Sequence, residues 1–515
     1  MRRLRVAGLC ALAALLAGCG TPGPAPHSAP VVTTESGAVR GVVTDGLARF
    51  RDIPYAAPPV GDLRWRSPQP VAPWAGTRDA TRSGPVCRQP AAPEMPRQLP
   101  QSEDCLTLDI TTPPAGGTEH PVLVWLPGGG FITGAGSIYD PARLVRAADA
   151  VVVTVNYRLG VFGFYANRDL GDSNFGLQDQ LAALRCVHAN IARFGGDPGR
   201  VTLAGASAGA MSTCTLMTAP QARDLFRQAV VASGSCETNH PAGALGPGVA
   251  AISTWQPLDT IQRAGQALAA ELSCPDTACL RGKPADELLP HTAEFPLVAV
   301  GTPLVPTAPA EAFAAGTQAN VPLLQGDTND EHVEFTLAAY PQPLTADQYT
   351  ELLRAAFGQD ASSVEQRYPA AGFPSPTAAA GRVFSDRDWI CPAWREAREH
   401  NEKASTYTYL FADPSALTPA GNALPTLVRP ATAHGSDMPY LFDFPDGPPL
   451  TPAQRPLAAE LVRYWAAFLR TGNPDTEGLP TWPRLDTLEF APDTTRTIDL
   501  TTSHHCDFWD TIEDG

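Results

Sequence analysis

The stretch from Val201 to Gly209 restricts the fold more than any other part of the chain. Its first five residues, mostly apolar, read as a buried strand, and the small residues after Gly209 read as a helix. The segment Gly205-Ala206-Ser207-Ala208-Gly209 between them matches the pattern G-x-S-x-G. A serine on so sharp a strand-to-helix turn has an exposed hydroxyl, and the flanking glycines are needed because side chains would not fit there. The alternative is a tight glycine-rich turn with a chance serine, but the strand-to-helix context favours Ser207 as a nucleophile.

The rest of the chain repeats this alternation of short apolar strands and helical patterns. Apolar periodicity predicts helices over 176–194 and 454–470, and the turns within 31–55 predict an edge hairpin. Buried strands are predicted at 121–126, 151–155, 201–205, 229–232, 321–325 and 406–411. Such alternation predicts an α/β fold with a central, mainly parallel sheet flanked by helices. Residues 240–320 and 340–400 are less regular, and we expect them to form insertions at the rim of the sheet.

A second glycine-rich loop precedes the serine in the chain. Gly128-Gly129-Gly130 follows the predicted strand 121–126 directly. Glycines at this place let backbone N–H groups approach a developing negative charge on oxygen, and one such donor contributes about 10²–10³ in rate. The alternative is a flexible loop without a catalytic role. The order of strand, glycine-rich loop and later serine turn favours an oxyanion hole.

A serine nucleophile needs a base and an acid, which in this kind of fold follow it in the order acid, then histidine. His434 lies in a loop after the predicted strand 406–411, from which it could reach over the serine. The other histidines weighed precede Ser207 or lie in a charged helical stretch or in the tail: His27, His120, His188, His400, His504 and His505. For the acid, the segment after strand 321–325 offers three candidates, Asp327, Asp330 and Glu331. The residues alone leave these three open.

Several longer motifs then resemble one family in the expected order. The chain is similar to the type B carboxylesterase (cholinesterase-like) family of α/β-hydrolases from about residue 33 to 510. The matching segments include FRDIPYAAPPVG at 50–61, SEDCL at 102–106, GGGF at 128–131, NYRLGVFGF at 156–164, FGGDP at 194–198 and CDFW at 506–509. The resemblance implies an α/β-hydrolase fold and a serine carboxylesterase that hydrolyses carboxylic esters through an acyl-enzyme.

The resemblance also assigns roles. It implies Ser207 as nucleophile, Glu331 as acid and His434 as base, and it places the oxyanion donors at the N–H groups of Gly129, Gly130 and Ala208. A small-molecule ester would be the substrate, and neither a metal nor an organic cofactor would be needed. A lipase, amidase or carbamate hydrolase with the same triad is the alternative, and a non-catalytic cholinesterase-like binding protein is a further one.

Disulfides and ion pairs follow from the same resemblance. It implies the pairs Cys87–Cys105, Cys274–Cys279 and Cys391–Cys506, with Cys214–Cys236 as a fourth, weaker candidate. Cys186 would then be the odd cysteine, facing the core from its helix. Arg64 with Glu103, and Arg158 with Asp179, match structural ion pairs of the family. These pairs would stabilise the fold and take no part in the chemistry.

The chain departs from the family pattern at three positions. Pro127 stands where the glycine-rich loop usually carries His or Tyr, and it leaves the later donors intact. Ala206 stands where the family's serine turn carries glutamate, and Met95 where cholinesterases carry a choline-binding tryptophan. The last two departures argue against a cholinesterase without affecting the triad.

The N-terminus predicts export. Residues 1–18 have three arginines followed by a short apolar stretch, which is typical of a signal peptide and too short to span a membrane. The stretch ends Leu-Leu-Ala-Gly before Cys19, which resembles a bacterial lipobox and predicts lipidation of Cys19. A Pro-rich tether would cover 19–30, and the α/β-hydrolase domain 31–515. The protein would be a membrane-anchored lipoprotein outside the cytoplasm, or a secreted protein if that cysteine occurs by chance.

Composition excludes other classes. Hydrophobic residues make up 43% of the chain, which is enough for a sizeable core and excludes disorder throughout. The formal charge is −16, and loss of the three N-terminal arginines would make it −19. Because no basic run occurs beyond the N-terminus, a nucleic-acid partner is not expected. Membrane contact would occur only through the anchor at Cys19.

Overall fold

The computed structural model describes residues 29–93, 95–96, 99–114 and 118–512. The predicted signal peptide, Cys19 and most of the tether lie outside the described residues.

The strands within this part of the chain are short, apart from the one that leads to the serine turn. In chain order they are β1 Val31–Thr33, β2 Ala38–Arg40, β3 Val42–Thr44, β4 Leu47–Pro54, β5 Thr77–Asp79, β6 Val86–Cys87, β7 Gln101–Ser102, β8 Thr107–Thr112, β9 His120–Leu126, β10 Val151–Val155, β11 Gly196–Ala206, β12 Gln228–Ala232, β13 Asn239–His240, β14 Ile252–Ser253, β15 Trp255–Pro257, β16 Val298–Val300, β17 Leu323–Thr328, β18 Thr406–Phe411, β19 Thr487–Ala491 and β20 Thr494–Ile498.

Eleven of these strands form one central sheet, in the order β20-β19-β18-β17-β12-β11-β9-β10-β8-β4-β3. The pairs from β10 through β9, β11, β12, β17 and β18 to β19 are all parallel. Antiparallel strands flank this block on both sides. The predicted mainly parallel sheet is therefore confirmed, and the predicted hairpin is β3–β4 at one edge.

The helices that the structure describes cover both faces and the rim of this sheet. They are α1 Ala142–Ala148, α2 Gly160–Phe164, α3 Phe175–Asn190, α4 Ala208–Thr218, α5 Leu258–Glu271, α6 Thr277–Arg281, α7 Ala285–Leu288, α8 Pro309–Ala314, α9 Val333–Ala339, α10 Ala346–Phe357, α11 Ala361–Arg367, α12 Pro376–Ser385, α13 Cys391–Asn401, α14 Met438–Leu441, α15 Arg455–Thr471, α16 Leu500–Ser503 and α17 Cys506–Ile512. A π-helical turn, Asp386–Ile390, joins α12 to α13.

Side-chain alternation along the central strands explains why helices lie on both faces. In β9, Val122 and Val124 pack into one core, while Leu123 and Trp125 pack into another. The first core includes apolar residues of α3, and the second includes apolar residues of α1 and α15. A strand that buries both of its faces reads as a continuous apolar run, which is the pattern of β9 and β10.

The two stretches expected to be irregular are richer in helix than their sequences suggest. Residues 240–320 contain α5 to α8, and 340–400 contain α10 to α12 and most of α13. Many of these helices are short, and α5 and α10 have one apolar face and one exposed face. One of them, α13, packs directly against the central strands β17 and β18.

Four disulfides join Cys87 to Cys105, Cys214 to Cys236, Cys274 to Cys279 and Cys391 to Cys506. They include the Cys214–Cys236 pair, which had the weakest support in the sequence. Cys186 is the free cysteine among the described residues, and it is half-buried and packs against the core, as expected. Disulfides persist in oxidising compartments, so this pattern indicates an extracytoplasmic protein.

Both expected structural ion pairs are present. Arg64 binds Glu103 through two hydrogen bonds of 2.6 Å, and Arg158 binds the buried carboxylate of Asp179 at 2.7 Å. Such forked contacts hold loops in fixed geometry. In the described part of the chain, no helix combines the length and the apolar character that crossing a bilayer requires.

Candidate active site

Ser207 lies where β11 ends and α4 begins. Its φ of 56° is a strained value for a residue other than glycine, and it occupies the N-cap position of α4 without a capping hydrogen bond from its side chain. A methyl group on Gly205 would be 2.3 Å from the Gly209 backbone, and one on Gly209 would be 2.0 Å from the Leu126 carbonyl oxygen. Both flanking positions therefore require glycine, as the sequence pattern suggested. Because the first N–H groups of a helix lack intrahelical partners, the N–H of Ala208 is available beside the serine.

The glycine-rich loop packs directly against this turn. A methyl group on Gly128 would be 3.0 Å from the Cβ of Ser207 and 2.7 Å from the Ala206 carbonyl oxygen. Gly129 and Gly130 follow with φ of 118° and 61°, values that side chains disfavour. The Tyr157 hydroxyl donates a 2.8 Å hydrogen bond to the Pro127 carbonyl, which holds the start of the loop. The three expected oxyanion donors thus lie on two segments that meet at Ser207.

Of the three candidate acids, Glu331 contacts His434. Its side chain is fully buried; Oε1 accepts the Thr328 backbone N–H at 2.5 Å, and Oε2 lies 2.5 Å from Nδ1 of His434. Asp330 pairs instead with Arg382 at 2.9 Å, and buried Asp327 makes no contact of this kind with His434. The geometry therefore favours Glu331 among the alternatives that the sequence left open.

His434 follows β18, and its second nitrogen makes no hydrogen bond to Ser207 in this structure. With Nδ1 engaged by Glu331, Nε2 is buried and has no hydrogen-bond partner among the residues described. Burial is the largest single influence on the pKa of His434 and acts to lower it. The charge and hydrogen bond of Glu331, together with the charges of Glu334 and Asp437, outweigh burial, so the net shift is upward. An imidazole held by a carboxylate with its other nitrogen unpaired is arranged to accept a proton.

A pair of hydrogen bonds ties the histidine loop to the acid turn. The Thr432 N–H donates to Oδ2 of Asp330 at 2.9 Å, and the Asp330 N–H donates to the Thr432 carbonyl at 3.0 Å. Since Asp330 directly precedes Glu331 and Thr432 lies two residues before His434, these bonds fix the distance between acid and base. The ion pair with Arg382 then fixes the orientation of the Asp330 carboxylate.

Further carboxyl groups are buried next to Glu331. The pKa of Asp327 is raised well above its ordinary value by burial and then by Glu331 and Asp437. Burial also raises the pKa of Asp437 to about 7, although a 2.8 Å hydrogen bond from the Tyr409 hydroxyl opposes the shift. Crowded carboxylates cannot all ionise in one apolar site. Burial and these neighbouring carboxylates therefore favour the protonated form of Asp327.

Aromatic residues that the sequence did not identify surround His434. The rings of Trp389 and Phe335 have their centroids 4.8 and 5.2 Å from that of His434. The indole N–H of Trp389 donates to Nδ1 of His332 at 3.1 Å. His332 is fully buried and directly follows Glu331 in sequence, and that adjacency was the one available signal for it.

Two clusters have the residue types of metal sites, but their chemistry does not suit an ion. In the first, Cys214 and Cys236 lie beside Glu396, and both sulfurs are already joined in a disulfide. The second consists of His240, His332 and Asp388. There, Nδ1 of His332 accepts the indole N–H of Trp389, so its lone pair is not free to coordinate. Neither cluster supplies three available ligands.

An open groove of about 830 Å³ lies between the Pro-rich loop and the segment after β18, and its lining residues do not include Ser207, Glu331 or His434. Apolar and proline side chains make up most of its wall, including Met95, Pro419 and Phe444. Pro419 lies 3.3 Å from where a methyl group on Gly435 would be, next to His434. On the other side, Gln89 exchanges two hydrogen bonds with Gly134, just beyond the glycine-rich loop. The lining of the groove thus includes Pro419, which lies close to the histidine loop, and Pro90, the residue after Gln89.

Comparison with known proteins agrees with this geometry. The model of the carboxylesterase family matches residues 28–509. Phenmedipham hydrolase of Pseudarthrobacter oxydans is 35% identical over 482 residues, which cover 88% of this chain and 92% of that protein. Para-nitrobenzyl esterase of Bacillus subtilis (strain 168) is 32% identical, with coverage of 88% and 92%. A solved structure of a thermophilic PNB esterase superimposes with a TM-score of 0.78 at 28% identity, over 94% of this chain and 100% of that one.

Proposed function

Because the chain belongs to the carboxylesterase family and is a carboxylic ester hydrolase, we propose that it acts through an acyl-enzyme formed on Ser207. The observation that carries this proposal is the His434–Glu331 pair. Nδ1 of His434 lies 2.5 Å from the buried Glu331 carboxylate, while its Nε2 has no partner among the described residues. Ser207, Glu331 and His434 follow strands β11, β17 and β18, whose carboxyl ends share one edge of the sheet.

In the first step, Nε2 of His434 takes the proton of the Ser207 hydroxyl as its oxygen attacks the ester carbonyl. The N–H groups of Gly129, Gly130 and Ala208 then stabilise the negative oxygen of the tetrahedral intermediate. The histidine returns the proton to the departing alcohol, which leaves an acyl group on the serine. Throughout, Glu331 keeps the imidazole in one tautomer and stabilises its charged form.

In the second step, water attacks the acyl group as His434 takes its proton. The bond between the acyl carbon and the Ser207 oxygen then breaks, His434 returns the proton to that oxygen, and the carboxylic acid leaves. Every proton in this cycle is transferred by His434, so the cycle needs no metal or organic cofactor.

The experiment that tests this function is a kinetic comparison of wild type with Ser207→Ala on p-nitrophenyl butyrate. Alanine fits the turn because the change removes a single oxygen, so the melting temperature should stay within a few degrees. We expect kcat to fall by more than about 10³-fold, since the nucleophile is lost. Activity near the wild-type level in a folded Ser207→Ala variant would contradict the proposal.

We further propose that the substrates are neutral esters of aryl or alkyl alcohols. The groove between the Pro-rich loop and the segment after β18 has a mostly apolar wall that includes Met95 and Phe444. By resemblance, Met95 stands where cholinesterases carry a choline-binding tryptophan. Ala206 also supplies no carboxylate next to the serine. Cation–π contact with an aromatic face is worth about 0.5–2 kcal/mol to a quaternary ammonium ion. With the same acyl group, kcat/KM should be higher for the uncharged ester than for the choline ester, and the reverse order would contradict this substrate class.

We also propose that the mature protein is anchored by a lipid on Cys19. The support is the sequence around Cys19, together with disulfides that indicate an oxidising compartment. Wild type should partition with membranes, and Cys19→Ser should release it or change its processing. A soluble wild-type protein with an unmodified N-terminus would contradict the anchor. Because one acyl chain binds a bilayer only marginally, stable anchoring requires more than one.

A further inference from the structure

One face of the catalytic imidazole packs against a tryptophan that no part of the mechanism uses. The centroids of Trp389 and His434 are 4.8 Å apart, with the rings tilted by 55°. Phe335 stacks on the same indole at 5.5 Å and 14°, and it touches His434 edge-on. Trp389 is 2% exposed, so the indole is enclosed and has little freedom to move. A positive charge within about 6 Å of an aromatic face is stabilised by the ring.

The orientation of this indole depends on His332. The indole N–H can only donate, and it points at Nδ1 of His332 over 3.1 Å. The other nitrogen of His332 lies 3.1 Å from the Ala244 carbonyl oxygen, which can only accept. These two partners fix His332 as the neutral tautomer with its proton on Nε2. Burial lowers the pKa of His332 to about 4, so this arrangement persists over the pH range in which an esterase works.

We propose that Trp389, held in place by its hydrogen bond to His332, positions the His434 imidazole and stabilises the imidazolium that forms during acyl transfer. The inference rests on the proposed role of His434 as base. Trp389 acts through His434 and does not touch the reacting atoms, so it is a positioning residue, and His332 positions Trp389 in turn. The π-helical turn Asp386–Ile390, which carries Trp389, brings the indole to this side of the site.

Other charged groups act on the two histidines and must be separated from the effect of the ring. His434 faces Glu331, and the charges of Glu334 and Asp437 also raise its pKa. His332 faces Asp388, whose Oδ2 is 3.5 Å from its Nδ1, and His240 lies beyond that carboxylate. All of these groups remain when Trp389 is replaced by an apolar residue. A change in the titration of His434 would then report the loss of the ring.

The first experiment measures kcat, KM and the pH profile of kcat/KM for Trp389→Leu on p-nitrophenyl butyrate. Leucine keeps the site apolar but has no π face. We expect kcat to fall about tenfold or more with KM changed less than about threefold, since the interaction matters when His434 is charged. The acid limb of kcat/KM should move to lower pH by about 0.4–1.5 units. The matched control is Trp394→Leu, which replaces a half-buried tryptophan of α13. This control should leave kcat, KM and the pH profile of kcat/KM unchanged.

The second experiment tests the hydrogen bond to His332. His332→Gln keeps a group that can accept the indole N–H and one that can donate to Ala244, whereas His332→Leu removes both. We expect kcat of the glutamine variant within about threefold of wild type, and a loss of about tenfold or more in the leucine variant. Because His332 and Trp389 are buried, melting temperatures are measured in parallel. If Trp389→Leu does not fold, the same measurements are made on Trp389→Phe, which keeps a ring but loses the N–H. Its kcat should then fall by less than the roughly tenfold loss expected for the leucine variant.

Two results would overturn the inference. One is a folded Trp389 variant whose kcat and acid limb match those of wild type and of Trp394→Leu. The other is equal activity of the His332→Gln and His332→Leu variants. Either result, obtained while Ser207→Ala is inactive, leaves the proposed function intact. An active Ser207→Ala variant would instead remove the proposed function itself.

Discussion

Replacing Gly128 by alanine tests how closely the oxyanion loop must approach the serine. The added methyl group would lie 2.7 Å from the Ala206 carbonyl oxygen and 3.0 Å from the Cβ of Ser207, whereas ordinary contacts begin at 3.4 Å. The loop must therefore retreat by about 0.7 Å to clear the carbonyl. Gly128 does not have a positive φ, so its backbone can accept alanine and the penalty is steric alone.

The retreat would carry the Gly129 and Gly130 N–H groups away from the developing oxyanion. A misplacement of about 1 Å can reduce the rate about 10²-fold, and loss of one donor reduces it about 10²–10³-fold. We expect kcat/KM of Gly128→Ala to fall by about 10²-fold. Crowding in a packed region should also lower the free energy of unfolding by about 1–3 kcal/mol, which leaves the protein folded at room temperature.

The assay is hydrolysis of p-nitrophenyl butyrate at saturating and limiting concentrations, with the melting temperature measured on the same samples. Gly46→Ala is the matched control: it lies in the β3–β4 turn at φ 75°, and its methyl group would meet no atom within 4 Å. Its left-handed backbone should lower stability by about 1–2 kcal/mol without changing activity. A Gly128→Ala protein that folds and keeps kcat/KM within about threefold of wild type would refute the reasoning.

Two further predictions concern the acid and the base. His434 must be neutral to accept a proton, and its pKa is raised. The value of kcat/KM should therefore rise with pH along a limb whose midpoint lies above about pH 6.5. A profile that is flat down to about pH 4 would contradict this role. Glu331→Gln removes the carboxylate that raises this pKa, so the midpoint should move to lower pH while kcat falls by about 10³–10⁴-fold, as measured by pH–rate profiles. Asp330→Asn keeps an acceptor for the Thr432 N–H and should reduce kcat far less than Glu331→Gln does. A larger loss of kcat in Asp330→Asn than in Glu331→Gln would show that Glu331 is not the acid.

Local pattern was sufficient to predict β9 to β12, β17 and β18, because these strands are buried and read as apolar runs, but it missed β19 of the parallel block. The strand 406–411 agrees with β18 to the residue, and the helix 454–470 differs from α15 by one residue at each end. β8 was missed because Asp109 interrupts its apolar residues. That carboxylate accepts the Asp52 N–H at 2.9 Å, and burial raises its pKa to about 6. Its partner lies 57 residues away, which no local pattern reveals.

The same distinction applies to the residues of the active site: some have a local sequence signature, and others do not. Ser207 and the glycine-rich loop have local signatures, because their backbone geometry requires glycine at fixed positions. The choice of Glu331 over Asp327 and Asp330 depends on which carboxylate reaches His434 across a separation of 103 residues, so it needed the family resemblance or the fold. Trp389 and His332 had no signature of their own, since their relation to His434 arises only when α9 and the π-helical turn pack together.

The assignment of the nucleophile can be tested most directly by covalent labelling. Wild type and Ser207→Ala are treated with a fluorophosphonate, which reacts with activated serines, and the modified peptides are identified by mass spectrometry. One label per wild-type chain is predicted, on Ser207, with loss of esterase activity in proportion to labelling and no label on the alanine variant. A label on a different serine, or full inactivation without modification of Ser207, would contradict the account.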